Sequence, residues 1–130
     1  MKQTELQSWR PIALSLLRIV AGFVFLLHGT QKVFGFPVGP PVQGFSLLLI
    51  AGWLEVPGGI LILLGLFTRP VAFILCGQMA VAYFTSHLPN GFWPLVNRGE
   101  LALLFCFIYL YLVAAGPGPW SLDAILRRKG

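Results

Sequence analysis

Four long apolar blocks, separated by turn-forming residues, constrain this chain more than any other feature of its sequence. They cover residues 12–34, 44–67, 71–87 and 98–115. A helix needs roughly 20 apolar residues to cross about 30 Å of hydrocarbon, so blocks of this length predict membrane-spanning helices. Pro11 is expected at the first helical position of the first block. The sequence therefore predicts an all-α membrane protein, an antiparallel four-helix transmembrane bundle that forms a single domain over residues 1–130.

The composition excludes an ordinary water-soluble domain. Hydrophobic residues make up 57% of the chain and charged residues 10%, and the mean hydropathy is +0.82. The net charge of +5 does not indicate binding to nucleic acid, because the cations stand at the edges of apolar blocks rather than on one basic face. Arg18 interrupts the first block and no small-residue cleavage site follows, so this block is interpreted as a retained helix rather than a signal peptide.

The positions of the cations predict that both termini lie on the cytoplasmic side of the membrane. An even number of spans places the two termini on one side, and cytoplasmic segments carry the excess of lysine and arginine. The cations on the terminal side are Lys2, Arg10, Arg69, Arg127, Arg128 and Lys129, against Lys32 and Arg98 on the other side. After the last block, Ser121 can cap a short amphipathic C-terminal helix, which is expected to lie on the inner membrane surface.

Glu55 is the most informative residue, because it falls near the midpoint of the second block, where an unpaired carboxylate is costly. It has to be protonated, paired or hydrated. Gly52 and Gly59 flank it on the same face and allow a neighbouring helix to approach closely. One interpretation makes Glu55 a catalytic proton donor or acceptor; the other makes it a structural partner of Arg18 or of a neighbouring helix.

Polar residues at the outer ends of the blocks predict a pocket that opens away from the termini, with Glu55 beneath it. Its expected members are His28, Gln31, Lys32, His87, Asn97, Arg98 and Glu100. Arg18 is a further candidate for ligand binding, although a long basic side chain near a helix end can instead extend to the membrane surface. Two histidines at similar depth are compatible with a haem or metal site, but hydrogen-bonded interfacial histidines are the favoured interpretation, so neither haem nor metal is expected.

The two cysteines are not expected to form a redox pair. The block boundaries place Cys76 and Cys106 at depths that differ by roughly one helical turn. Small buried thiols are common in helix interfaces, and no CxxC motif is present.

Several strings in this order resemble the DoxX family of membrane proteins. On the first helix they are Leu17, Arg18, Gly22, Phe25 and residues 28–32. On the second they are a Glu-x-x-Gly-Gly core at residues 55–59 and a Gly-x-x-Thr-Arg hairpin at 65–69. Further matches are residues 82–84, His87, Asn97, Gly99, Glu100, 116–118 and 120–123. The resemblance covers about residues 12–126, and Pro57 is its one departure, where many relatives carry an ordinary helix former.

This resemblance implies a bacterial or archaeal inner-membrane protein of four helices. The members that give the family its name are similar to the membrane subunit of thiosulfate:quinone oxidoreductase. A quinone-linked redox role follows as one hypothesis, with a soluble redox enzyme or a sister membrane subunit as partner and no covalent cofactor. The alternatives are a non-catalytic membrane anchor or assembly partner, and a small proton-coupled carrier that would need to form a homo-oligomer.

Overall fold

The computed structural model describes residues 2–129, and over that range the chain is helical and contains no strand. Its α-helices are α1 (Gln3–Phe34), α2 (Leu47–Leu64), α3 (Thr68–Ala82), α4 (Pro94–Asn97), α5 (Glu100–Ala115) and α6 (Leu122–Lys129). Between α3 and α4 the chain continues through a π-helical turn, Tyr83–His87, and a 3-10 turn, Leu88–Asn90. The predicted all-α fold class is confirmed.

Three of the helical stretches are long and apolar enough to cross a membrane. They are Gln3–Phe34, Leu47–Leu64 and the continuous stretch Thr68–Asn90. The fourth apolar helix, α5, has 16 residues and is shorter.

The first block begins earlier than its apolar run suggests. Helix α1 starts at Gln3, so Pro11 lies inside the helix, and the prediction that it opens the helix is wrong. The polar segment before it is helical as well, and the carboxylate of Glu5 accepts a hydrogen bond from the backbone N–H of Lys2 at 3.1 Å. Pro11 has no backbone N–H, so the helical hydrogen bond to the carbonyl of Gln7 is missing. This long helix tolerates the loss of that one bond.

Helices α1 and α2 are in backbone contact because glycines line their interface. A Cβ atom on Gly22 would lie 2.6 Å from the backbone nitrogen of Leu63, and one on Gly29 would lie 2.8 Å from that of Val56. Small residues let spanning helices approach closely enough for extensive van der Waals contact. This pair of helices therefore forms one tightly packed half of the protein.

Helices α3 and α5 form the other half. Buried side chains of α3 (Ala72, Leu75 and Met79) belong to one cluster with those of α5 (Phe105, Tyr109 and Leu112). At the end of this pair, Arg69 donates hydrogen bonds to the carbonyls of Val113 and Ala114, at 3.1 and 3.0 Å. The start of α3 therefore lies beside the end of α5.

Phe25 joins the two halves. Its ring packs edge-to-face against Phe105 of α5, with centroids 5.3 Å apart, and against Tyr109, at 5.2 Å. Edge-to-face pairs at this spacing add to the energy of burial. The halves are thus held together at the level of Phe25.

The cysteines meet, contrary to the sequence-based expectation. The Sγ atoms of Cys76 and Cys106 are 3.7 Å apart at the interface of α3 and α5. The predicted depth difference fails because α3 begins at Thr68 rather than at residue 71. The earlier start places Cys76 almost as far from the start of α3 as Cys106 lies from the end of α5.

The C-terminal segment folds back onto the bundle. Arg18 is buried and its guanidinium donates to the carbonyl oxygens of Pro117 and Trp120, so it neither extends to the membrane surface nor pairs with Glu55. The carboxylate of Asp123 accepts from the backbone N–H groups of Phe67 and Thr68, at 2.8 and 3.0 Å. It caps the first turn of α3, whose free N–H groups favour an anion.

Ser121 caps α6 as the sequence predicted. Its Oγ atom accepts a hydrogen bond from the backbone N–H of Ala124 at 3.1 Å. The predicted short C-terminal helix is therefore present, and its last turn carries Arg127, Arg128 and Lys129.

Candidate functional site

A cleft of about 710 Å³ lies between the two halves of the protein. Its walls come from α1, α2, α3, the π-helical turn and α5, and most of the lining is apolar. The polar or charged residues in the lining are His28, Lys32, Glu55, Gln78, Thr85, Ser86, His87 and Arg98. Small-molecule sites typically have volumes of about 300–1,000 Å³, apolar walls and a few polar groups that fix the ligand's orientation.

Glu55 belongs to the polar lining of the cleft and is 1% exposed. Its Oε1 atom accepts two hydrogen bonds, from Lys32 Nζ at 2.7 Å and from Gln78 Nε2 at 3.0 Å. Its Oε2 atom and the Oε1 atom of Gln78 are buried and have no hydrogen-bond partner among the residues that the structure describes. A buried polar atom without a partner is unfavourable, so these two oxygens can each accept a further hydrogen bond at the cleft.

The glycines of α1 and α2 position the ion pair. A Cβ atom on Gly52 would lie 2.9 Å from the Cβ of Lys32, and one on Gly29 would lie equally close to the Cβ of Glu55. Each charged side chain therefore passes over a glycine of the opposite helix. This arrangement lets Lys32, whose side chain is 20% exposed, reach a carboxylate that is almost fully buried.

Several of the predicted pocket residues do line the cleft. His28 and Lys32 contribute from α1, and His87 and Arg98 from the segment between α3 and α5. The ring of His28 lies edge-on to Phe105, with centroids 6.3 Å apart. The Nδ1 atom of His87 lies 3.2 Å from the carbonyl oxygen of Asn97, which fixes the imidazole at the end of the π-helical turn.

Other predicted site residues lie elsewhere. Arg18 binds the C-terminal segment, as described above, and Gln31 is half-buried next to the loop after α1, outside the cleft lining. Glu100 is exposed in the first turn of α5 and does not line the cleft.

Asn97 is buried outside the cleft lining, and its side chain orders the loop around it. Its Nδ2 atom donates to the hydroxyl of Tyr83 and to the carbonyl of Gly91, and its Oδ1 atom accepts from the backbone of Gly99 at 2.8 Å. Every polar atom of this side chain is therefore engaged in holding the segment between the π-helical turn and α5.

Gln78 is the residue that the sequence analysis missed. The predicted pocket consists mainly of ionisable residues at the outer ends of the apolar blocks, and Gln78 is not among them. The sequence does contain a feature that could have identified Gln78: it is an uncharged amide in the middle of an apolar span. Such residues form hydrogen bonds between helices in membranes.

Metal-binding residues are not grouped in the described part of the chain. No three side chains of histidine, cysteine, aspartate or glutamate lie close enough together there to hold an ion. The chemistry of the cleft is that of one carboxylate, nearby cationic and amide donors, and apolar walls.

The apolar helices, the glycine-lined interface and the buried ion pair define a small all-helical membrane protein with a cleft between its helix pairs. The chain belongs to the DoxX family, whose profile matches residues 13–88. It is similar to an uncharacterised protein of Haemophilus influenzae, 47% identical over 126 residues, which span 92% of this chain and 94% of the relative.

Two further relatives carry more informative names. Inner membrane protein YphA of Escherichia coli is 29% identical over 88% of this chain and 90% of its own length. CatD of Bacillus subtilis, provisionally named an oxidoreductase, is 28% identical over 83% of this chain and 82% of its own length. No solved structure matches this chain significantly.

Proposed function

We propose that the cleft binds the head group of a membrane quinone, and that the protein is the membrane subunit or partner of a quinone-linked redox system. The observation that carries the proposal is the pair of unpartnered buried oxygens, on Glu55 and Gln78, at the wall of a largely apolar cleft. Both are hydrogen-bond acceptors, so they match the hydroxyl donors of the quinol, the reduced form of the ligand. The name of one relative, CatD, describes it as an oxidoreductase, and this name supports the redox proposal.

The residues of the cleft fit a quinone. A quinone ring is apolar on its faces and carries carbonyl oxygens that accept hydrogen bonds. The ammonium of Lys32 and the amide of Gln78 are donors on one wall, and His28 adds an imidazole. Exposed apolar side chains of the lining, such as Leu54, Ile74 and Leu101, supply surface against which a ring can pack.

Glu55 is the group suited to handling protons. Reduction of a bound quinone to the quinol takes up two electrons, which the partner protein supplies, and two protons, which Glu55 would pass on one after the other and regain from water. The Oε2 atom of Glu55 has no other partner in the described chain, so it can hold a proton and donate it across a hydrogen bond to a ligand oxygen. Lys32 keeps the other carboxylate oxygen in place during that exchange.

The electrons come from outside this chain in the proposal. The described residues include no metal-binding cluster, and the sequence has no nucleotide-binding fingerprint. A soluble redox enzyme or a sister membrane subunit would therefore pass electrons to the quinone in the cleft. We place this system in either sulfur-compound oxidation or protection from oxidative stress.

The proposed topology is an antiparallel bundle of four crossings in the inner membrane with both termini in the cytoplasm. At 1.5 Å per residue, the 16 residues of α5 extend about 24 Å, which is short for a membrane core of about 30 Å. Its partnership with α3 and the binding of its last carbonyls by Arg69 support a fourth crossing. Gly22 meets Leu63 and Gly29 meets Val56, which supports opposite directions for α1 and α2.

The experiment is extraction of retained lipids from the detergent-purified protein, followed by mass spectrometry for quinones. Wild type is expected to retain quinone, and Glu55→Gln and Gln78→Leu are expected to lose most of it. Glu100→Gln is the matched control, since it makes the same chemical change on an exposed carboxylate outside the cleft.

The result also separates this function from the alternative of a membrane anchor. Retained quinone that depends on Glu55 supports the redox proposal. If folded wild type retains no quinone and Glu55→Gln only lowers the melting temperature, the ion pair is structural, and a scaffold that recruits other proteins becomes the better account.

A further inference from the structure

A second groove, of about 630 Å³, lies at the end of the protein that carries both termini. It shares no lining residue with the cleft. Four arginines line it: Arg10 of α1, Arg69 of α3, and Arg127 and Arg128 of α6. No aspartate or glutamate is part of the lining.

No carboxylate pairs with these arginines within the described residues, and only Arg69 has hydrogen-bond partners among them, the carbonyls of Val113 and Ala114. The one ion pair found there is that of Lys32 and Glu55, which belongs to the cleft. The nearest acid in sequence to the α6 arginines, Asp123, directs its carboxylate to the backbone of Phe67 and Thr68. Four guanidinium groups around one depression, without a carboxylate partner, create a strongly positive field.

The fold brings the four arginines together by docking the C-terminal segment. Arg18 holds the carbonyls of Pro117 and Trp120, and Ser15 accepts a hydrogen bond from the backbone N–H of Trp120 at 3.1 Å. Asp123 then fastens the start of α6 to the start of α3. These contacts bring Arg127 and Arg128 of α6 to the same groove as Arg10 of α1.

The groove is amphipathic. Besides the arginines, its lining includes Leu14, Tyr111 and three prolines, Pro11, Pro117 and Pro119. Leu14 and Tyr111 belong to the apolar stretches of α1 and α5, so the positive end of the groove continues into surface suited to hydrocarbon. A ligand that matches it has an anionic head and an apolar tail.

We propose that this groove binds the phosphate of an anionic phospholipid. Guanidinium groups bind phosphate oxygens in pairs of parallel hydrogen bonds, and basic pockets at the ends of spanning helices bind phospholipid head groups. The acyl chains follow the Leu14 and Tyr111 side into the bilayer. The bound lipid ties α6 to α1 and α3, so it stabilises the docked position of the C-terminal segment. This proposal is independent of the quinone function.

The test is native mass spectrometry of the full chain in a neutral detergent, titrated with phosphatidylglycerol or with phosphatidylcholine. Two double variants remove the same charge from the same end of the protein. R10Q/R128Q changes the groove, whereas K2Q/K129Q changes cations that do not line it. R10K/R128K keeps the positive charge but removes the paired guanidinium donors. It tests the groove even if the R10Q/R128Q variant fails to fold.

Wild type is expected to retain phosphatidylglycerol in preference to phosphatidylcholine, whose choline neutralises the phosphate. Because each cation near the lipid surface contributes roughly a factor of five, R10Q/R128Q should bind phosphatidylglycerol about 30-fold more weakly. K2Q/K129Q should bind like wild type, and R10K/R128K should fall between the two.

Equal weakening in both glutamine variants, or equal binding of the two lipids by wild type, overturns the proposal, since the attraction would then be a general property of this basic end. A third titration, after those with the two phospholipids, uses inorganic phosphate alone. If phosphate binds with the same dependence on Arg10 and Arg128 and phosphatidylglycerol does not displace it, the groove holds a free anion and the lipid assignment is wrong.

Discussion

Lys32 Nζ lies 2.7 Å from Glu55 Oε1, and this ion pair joins α1 to α2 at the wall of the cleft. The carboxylate is almost fully buried, whereas the lysine is partly exposed on the cleft side. The pair therefore has two effects at once. It holds α1 and α2 in register along their glycine-lined interface. It also leaves one carboxylate oxygen, Oε2, available to accept or hold a proton.

Removing the cation alone is expected to destabilise the protein strongly. Lys32→Met leaves the buried Glu55 carboxyl group without its cationic partner, which costs about 3–5 kcal/mol in buried pairs of this kind. Lys32→Met/Glu55→Leu removes both charges and should recover most of that loss. Unfolding in detergent micelles measures both variants, and an equal loss in the single and double variants contradicts this account of the pair.

The α1–α2 interface is expected to reject even one methyl group. In Gly29→Ala the new Cβ meets the backbone of Val56 at 2.8 Å, so the helices have to separate, at a cost of about 1–3 kcal/mol. Gly77→Ala is the matched control on α3, because a Cβ there meets nothing within 4 Å. That control should be neutral or stabilising by up to about 1 kcal/mol. Similar melting temperatures for the two variants would show that the helices are not in backbone contact at Gly29.

The first turn of α3 depends on a residue that follows it by more than fifty positions. Asp123→Ala removes the acceptor for the N–H groups of Phe67 and Thr68 and should cost about 1–2 kcal/mol. The variant should also release α6, which limited trypsin cleavage after Arg127 and Arg128 detects. Glu100→Ala, at an exposed position in the first turn of α5, is expected to leave the cleavage rate unchanged.

Cys76 and Cys106 provide a direct test of how α3 packs on α5. Their sulfur atoms are 3.7 Å apart, so a lipid-soluble oxidant should close a disulfide within one chain. The intact mass then falls by that of two hydrogen atoms, and neither thiol reacts with an alkylating reagent. Cys106→Ser/Phe107→Cys moves the second thiol to an exposed neighbouring position and should not cross-link within the chain. Efficient closure in that control would contradict the helix orientation.

The sequence predicted the elements that depend on local composition. The apolar blocks, the serine cap of α6 and the polar lining at His28, Lys32 and His87 follow from residue type and spacing, and they are present. Glu55 was singled out because a buried carboxylate needs a partner, and it has Lys32 and Gln78.

Features that depend on tertiary contacts were not predictable in the same way. Arg18 binds carbonyls about a hundred residues later in the chain, which no local pattern reveals. The meeting of Cys76 with Cys106 depends on where α3 begins, and three residues at a helix end change depth by almost a turn. Gln78 was missed because it lies inside an apolar block, whereas the predicted amides, Gln31 and Asn97, lie at the outer ends of their blocks.

Photoaffinity labelling with an azido-quinone in native membranes tests the central claim most directly. The account predicts that the label attaches to peptides of α2 and α3 that contain Glu55 and Gln78, that excess unlabelled quinone prevents it, and that Glu55→Gln reduces it while Glu100→Gln does not. Labelling confined to lipid-facing residues such as Trp53 and Phe73, or labelling that unlabelled quinone does not reduce, would contradict a quinone site in the cleft.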